Sequence, residues 1–216
     1  MSIANNIVNF RKKLPETVTL IAVSKTKPNE AILEAYAAGQ GDFGENRVQE
    51  LVPKFDALPK DIRWHLIGHL QSNKVKYIAP FIHMIHSIDS ENLLSEVNKQ
   101  AQKCNRVIPV LLQVFIAQEE TKFGFSFDEV RTTLKNASQF PNVKISGLMG
   151  MATNTEDLDQ VRREFRSLNE FVRELKTVHI ELNISELSTG MSSDWQIAVE
   201  EGSTMIRVGS SLFGTR

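Results

Sequence analysis

Thr19-Leu20-Ile21-Ala22-Val23-Ser24-Lys25-Thr26-Lys27-Pro28 reads as a buried strand that carries a lysine at its C-terminal end, just before a proline-marked turn. Lysine is among the residues least often buried. Lys25, on the line of a core strand, is therefore either a flaring edge or an amine held where it can react.

Outward from this strand the chain alternates helical and strand patterns with little room for linkers. Upstream, Ser2 caps an amphipathic helix over 2–14, with Ile3, Ile7, Phe10 and Leu14 at helical spacing and Pro15 as its stop. Downstream, Pro28 starts a helix whose Ala31 to Ala38 segment favours helix and whose C-terminal cap is Gly39; the second strand follows at Asp42-Phe43-Gly44. A helix through Val48, Leu51, Val52 and Phe55 leads to a third strand at Arg63 to Ile67, and a short helix from Ser72 to Ile78 leads to a fourth at His83 to Ile88. Helix 90–103 precedes the longest apolar run, Val107 to Phe115, which reads as a buried strand despite Pro109. Helix 126–137 and strand 143–149 come next. They are followed by a charged helix from Glu156 to Lys176 with an apolar stripe of Leu158, Val161, Phe165, Leu168, Phe171, Val172 and Leu175. Strands at Ile184 to Ser188 and Thr204 to Val208, separated by a helix at about 193–201, close the count.

Eight strands alternating with helices predict a parallel sheet, and eight units favour a closed (β/α)8 TIM barrel over an open doubly wound sheet. The eighth strand is followed only by Gly209 to Arg216, too little for a full helix, while an unpaired helix stands at the N-terminus. Helix 2–14 is thus expected to cover the barrel beside its last strand, and residues 1–216 are expected to form one domain. With 216 residues and 41% hydrophobic content, the chain is long enough to bury such a core.

Composition narrows the function classes. Lys plus Arg (25) and Asp plus Glu (26) leave a formal net charge of −1, which argues against nucleic acid or an anionic membrane as the main partner. The single cysteine, Cys104, cannot form an internal disulfide and reads as a structural or surface thiol in a reducing compartment. No leader pattern and no apolar run of spanning length is present, so a soluble cytoplasmic protein is expected.

In a (β/α)8 barrel the site lies at the C-terminal ends of the strands. The polar residues there are Lys25, then Glu45 and Asn46, then His65 and His69, then Ser87 and Asp89, the segment Met149 to Thr153, and two loops of similar character. Ser188-Thr189-Gly190-Met191-Ser192-Ser193-Asp194 opens a helix, and Arg207-Val208-Gly209-Ser210-Ser211 follows the last strand; both offer hydroxyls, glycines and free backbone N–H groups. Loops after strands seven and eight recur as the phosphate site of this architecture, so a phosphate-bearing ligand is expected. Read singly, Ser192 or Ser193 would be a helix cap and Gly209 a turn; their pairing on adjacent strands favours the anion site.

Other apparent motifs fail on context. Gly39-Gln40-Gly41-Asp42-Phe43-Gly44 matches G-x-G-x-x-G but follows a helix and enters a strand, the reverse of dinucleotide binding. Ser24-Lys25-Thr26-Lys27 matches S-x-x-K without its companion motifs, and Pro28 disfavours helix at Lys27. His65 and His69 share no helical face, and His83 and His86, three apart on a strand, are expected on opposite faces; no metal site is expected.

Taken together, Ala22-Val23-Ser24-Lys25-Thr26-Lys27-Pro28, Phe43-Gly44-Glu45-Asn46, Trp64 to Lys74, Gly147-Leu148-Met149-Gly150-Met151, Ser188 to Asp194 and Gly202 to Gly209 resemble the pyridoxal phosphate homeostasis proteins. These are single-domain relatives of the alanine racemase N-terminal barrel. The resemblance runs in order from about residue 18 to the end. It implies pyridoxal 5′-phosphate (PLP) joined covalently as a Schiff base to Lys25. It also implies that Ser192, Gly209 and Ser210 hold the phosphate, that Asn46 is a ring or pocket contact, and that Arg207 faces the pyridine nitrogen.

The local chemistry agrees with the transfer. A lysine forming a Schiff base attacks as the neutral amine, and partial burial at a strand end favours that form. Arg207 only donates hydrogen bonds, so the ring nitrogen it faces stays largely unprotonated and the ring is a poor electron sink. A racemase of this ancestry also needs a second, β-rich domain and a catalytic tyrosine. This chain stops eight residues past strand eight, and its two tyrosines, Tyr36 and Tyr77, are expected on helices outside the motifs. The expected role is therefore a monomeric binding protein in PLP (vitamin B6) homeostasis with no catalytic residue, and PLP-dependent apoenzymes as recipients. The alternatives are a weak PLP-dependent amino-acid racemase or lyase and, more remotely, an aldolase using Lys25 on a sugar phosphate.

Overall fold

In the computed structural model, which describes residues 2–117 and 124–214, the strands are β1 (Thr19–Val23), β2 (Asp42–Glu45), β3 (Arg63–Leu66), β4 (Met84–Ile88), β5 (Ile108–Val114), β6 (Val143–Gly150), β7 (Glu186–Ser188) and β8 (Met205–Val208). The helices are α1 (Ile3–Arg11), α2 (Asn29–Ala37), α3 (Val48–Ala57), α4 (Val75–Ile78), α5 (Glu91–Lys103), α6 (Phe127–Lys135), α7 (Leu158–Val178), α8 (Trp195–Glu200) and α9 (Ser210–Phe213). The strands pair in chain order, all parallel, and β8 closes on β1 with Thr19 opposite Met205 and Ala22 opposite Val208. The barrel expected from the alternation is the barrel observed.

Two apolar layers follow from strand alternation. Leu20, Ala22, Phe43, Leu66, Ile85, Val110 and Leu148 point outward into the large core beneath the helices. Met84, Leu111, Met149 and Met205 form a separate buried cluster drawn from β4, β5, β6 and β8. Residues of β4 and β8 can meet only across the inside of a closed barrel, so this second cluster fills its interior. Gly147 allows β6 and β7 to approach: a Cβ there would lie 1.8 Å from the Glu186 carbonyl oxygen.

The N-terminal helix takes the place that a full helix after β8 would occupy. Ser2 caps α1 by accepting from Asn5 N–H at 3.2 Å. Asn6 Nδ2 donates to the Leu212 carbonyl on the short α9 at 3.0 Å, and the Phe10 ring lies 4.9 Å from that of Trp195 at the start of α8. The helix expected at 2–14 is thus shorter, Ile3–Arg11, and packs on α8 and α9, the helices that flank the last strand.

Boundaries shift where local geometry intervenes. β7 pairs from Glu186 rather than Ile184, because a single 3-10 turn over Ile180–Leu182 and Asn183 at φ 49° occupy the approach. Asp157 caps α7 by accepting from Asp159 and Gln160 N–H. The expected stripe is buried from Val161 to Leu175, but Leu158, in the first turn, stays exposed. Cys104 ends α5, half-buried against the core.

Candidate functional site

Alternation along β1 sends Ile21, Val23 and then Lys25 toward the barrel mouth, while Leu20 and Ala22 face the helices. The backbone on either side of Lys25 is fixed by side chains from β2 and α3. Before it, Ser24 Oγ donates to Glu45 Oε1 at 2.6 Å, and Lys54 Nζ donates to that same oxygen at 2.7 Å and to the Ser24 carbonyl at 2.8 Å. Glu45 is completely buried and Lys54 nearly so. Burial pushes the Glu45 carboxyl up against the opposing pull of Lys54 and Ser24. After it, Thr26 takes φ 63°, a left-handed turn, with its N–H held by Glu50 Oε2 at 2.8 Å. This turn at a non-glycine residue releases the half-buried Lys25 from the strand direction at the mouth.

The loops after β7 and β8 arrive beside β1 because the barrel closes there. Gly190 has φ 87°, and a Cβ on it would stand 2.5 Å from Ala198 Cβ, so only glycine lets this loop pack on α8. Asp194, at the start of α8, accepts from Met191 N–H at 2.5 Å and folds the loop back. Ser192 is therefore not the helix cap; its Oγ accepts from Gly209 N–H at 3.3 Å, tying the two loops together. Gly209 packs close to β1, where a Cβ would lie 3.2 Å from the Val23 carbonyl oxygen. On the other flank, a Cβ on Gly68 would meet the Asn46 carbonyl at 2.5 Å, so the turn after β3 can lie against Asn46 only because Gly68 has none.

These elements enclose a cavity of about 630 Å³ at the C-terminal mouth of the barrel, and Lys25, Asn46, Ser192, Arg207, Gly209 and Ser210 all line it. All six residues expected from the sequence are brought to one place. Thr26, Lys27, Met151 and Met191 line it as well. Lys27 was not expected in a role there; its Nζ donates to the Phe213 and Gly214 carbonyls, both at 3.2 Å, and pins the end of α9.

Arg207 forms part of the cavity wall and is only 5% exposed. Its Nη1 donates to the Ser188 carbonyl (2.8 Å) and to Ser188 Oγ (2.6 Å), and its Nη2 donates to the Gly150 carbonyl (3.2 Å). No carboxylate among the described residues pairs with it, and burial pushes the guanidinium down to about 10, with Asp194 pulling the other way. Three of its five N–H groups are engaged, which leaves two for whatever occupies the cavity.

The histidines depart from their expected arrangement. His65 stacks edge-on against both His83 and His86, with ring centroids 5.2 Å and 5.1 Å apart. His83 precedes the first paired residue of β4, so strand alternation does not separate it from His86. Asp42, His65 and His83 bring ligand atoms within 4.8 Å of one another. Asp42, however, already accepts from Arg63 Nε and Nη2 and pairs with His65 Nε2, so its charge is already matched by the Arg63 cation.

Fold and site together define a barrel of the alanine racemase N-terminal class: a model of the family described as "Alanine racemase, N-terminal domain" matches residues 1–216. Within that class the chain belongs to the pyridoxal phosphate homeostasis protein family. It is 43% identical to the pyridoxal phosphate homeostasis protein of Aquifex aeolicus, over 91% of this chain and 86% of the relative. It is 39% identical to the human protein of the same name, over 91% of this chain and 76% of the relative. The solved structure of PipY from Synechococcus elongatus without PLP superposes with a TM-score of 0.94 at 42% identity, covering 98% of this chain and 100% of PipY. PipY with PLP bound gives 0.90 at the same identity and coverage. Alanine racemase from Bartonella henselae shares the fold at 19% identity, with a TM-score of 0.74 over 99% of this chain and 58% of the racemase.

Proposed function

We propose that this chain binds pyridoxal 5′-phosphate in the cavity at the barrel mouth, holds it as a Schiff base on Lys25, and serves PLP homeostasis by storing and delivering the cofactor. The observation that carries this reading is the convergence of Lys25, Arg207 and the Ser192–Gly209–Ser210 loops on one cavity. Its volume, about 630 Å³, falls in the ordinary range for small-molecule sites, about 300–1,000 Å³. The residues present fit the group: an amine for its aldehyde, hydroxyls and close-packed glycine backbone for its phosphate, and two uncommitted guanidinium N–H groups for its ring nitrogen. PipY, with the same fold, has been solved with PLP bound.

Each residue then has a part. Lys25 supplies the amine, steered by the Ser24–Glu45–Lys54 cluster and the Thr26 turn. Ser192, Gly209 and Ser210 hold the phosphate. Asn46 borders the ring. Arg207 donates to the pyridine nitrogen and cannot share a proton with it, which weakens the electron sink the cofactor supplies when bound.

Storage is favoured over turnover by what lines the cavity: among the described lining residues there is no His, Tyr, Asp, Glu or Cys to act as a second acid or base, and the second amine, Lys27, is engaged with the Phe213 and Gly214 carbonyls. Tyr36 is committed to Asp61 at 2.7 Å, and neither it nor Tyr77 lines the cavity. The rival reading, a weak racemase or lyase, is supported by the fold shared with alanine racemase. We further read residues 1–216 as one domain acting as a cytoplasmic monomer, with PLP-dependent apoenzymes as recipients. The test incubates loaded protein with a panel of D- and L-amino acids and, separately, with a PLP-requiring apoenzyme. Reactivation of the apoenzyme without amino-acid turnover is expected; robust turnover abolished by Lys25→Ala would overturn the storage reading.

A further inference from the structure

Behind Arg207 a line of buried polar side chains crosses the barrel interior. Arg207 Nη1 meets Ser188 Oγ at 2.6 Å, Ser188 Oγ meets His86 Nδ1 at 2.9 Å, His86 Nε2 meets His65 Nδ1 at 2.9 Å, and His65 Nε2 meets Asp42 Oδ1 at 3.1 Å. Arg63 closes the far end on Asp42. Ser188 and His86 are completely buried, and His65 is 1% exposed.

The direction of every bond follows from its first member. A guanidinium only donates, so Ser188 Oγ accepts from Arg207 and gives its own hydrogen to His86 Nδ1. His86 then carries its proton on Nε2 and donates to His65 Nδ1, and His65 carries its proton on Nε2 and donates to Asp42. In this arrangement every ring nitrogen and the hydroxyl are satisfied. The reverse polarity leaves the Ser188 hydrogen buried with no acceptor along the line and turns the His65 Nε2 lone pair onto the Asp42 carboxylate. Each dipole in the favoured direction turns its acceptor end toward Arg207, so the line partly compensates a buried guanidinium that has no carboxylate against it.

We propose that Ser188, His86, His65 and Asp42 form a one-way hydrogen-bond relay that fixes Arg207 in the cavity wall and keeps its remaining N–H groups directed at the ligand. These four are positioning residues: none of them lines the cavity. The assignment rests on the PLP-binding reading only for its second test below.

The first test needs no ligand. Nitrogen-15 NMR of the imidazoles in the ligand-free full chain at pH 7 is expected to show His65 and His86 both as neutral Nε2–H tautomers. An Nδ1–H tautomer or a charged ring at either would overturn the relay. The second test loads the protein with PLP and compares wild type with Ser188→Ala and with Asp42→Asn, which keeps the shape at the far end and removes the charge. Each variant is expected to shift the absorbance maximum of the bound cofactor, with about tenfold weaker retention in Ser188→Ala from the lost bond to a charged donor. A folded Asp42→Asn protein with wild-type absorbance and retention would overturn the relay, as would a Ser188→Ala protein that behaves likewise. If the wild type takes up no PLP, the binding reading fails, and the tautomers alone decide the relay.

Discussion

His86 is the residue on which burial acts most plainly. Enclosed completely and facing His65, Arg207 and His83, its imidazole is held well below its ordinary range, first by burial and then by these neighbours. The unfolded chain takes up that proton near pH 6.5 and the folded chain does not, so stability is constant above about pH 7 and falls as pH drops below 6.5. The expected slope for this one group is about 1.4 kcal/mol per pH unit. Urea denaturation at pH 7.5 and 5.5 checks this: wild type should lose stability across the interval, and His86→Gln should show a shallower fall. Asp42 acts lower on the scale. Burial raises its carboxyl, but hydrogen bonds from His65 and Arg63 outweigh burial and hold it below the usual carboxylate range. Its contribution is present above about pH 4 and lost below, as the native carboxylate is protonated. At this scale the sequence is most informative where a side chain has a single use. Lys25 and the glycine–serine loops were legible because an amine at a strand end and small residues after the last two strands have few other purposes. The relay was not, because whether His65, His86 and Ser188 meet depends on the register and tilt of three strands, and a slip of one residue sends each side chain to the other face.

Among the elements, the junction of β1, β2 and α3 carries the most concentrated polar burial. Lys54 and Glu45 are both buried, and Ser24 joins them. Removing Glu45 leaves the buried Lys54 only the more distant Glu50, at 3.9 Å, so Glu45→Ala is expected to cost about 3 kcal/mol and to loosen the strand end that presents Lys25. Thermal denaturation combined with PLP uptake checks both halves; a variant of wild-type stability would contradict the account. The seam between β6 and β7 makes a second demand. A Cβ at position 147 would overlap the Glu186 carbonyl, so Gly147→Ala is expected to destabilise by about 3 kcal/mol or more, read as a lower urea midpoint. Helices with long apolar stripes are placed from sequence to within a few residues, α5 best of all, with only its first residue off, and the longer α7 shifted by two residues at each end. Short strands were placed less well: β7 has three paired residues, too few for a period to show, and its start is set by the 3-10 turn before it.

At the scale of the molecule, barrel closure turns separate motifs into a site. β8 lies beside β1, so loops about 165 to 185 residues away in the chain stand next to Lys25. Helix α1 secures that seam from outside, through Phe10 on Trp195 and Asn6 on Leu212. Phe10→Ala, which empties a buried ring from this seam, is expected to cost about 3–5 kcal/mol and to weaken PLP retention alongside stability. The count of eight strands, the missing last helix and the spare first one were enough to foresee this closure from sequence. The account's central claim, that the amine at the end of β1 and the loops after β7 and β8 together hold pyridoxal phosphate, is tested most directly by the absorbance spectrum of the purified protein before and after borohydride reduction, with peptide mapping of the modified residue. The account predicts a visible-edge band that borohydride removes, leaving one pyridoxyl group on Lys25; a label on Lys27 or Lys74 instead, or no label at all, would contradict it.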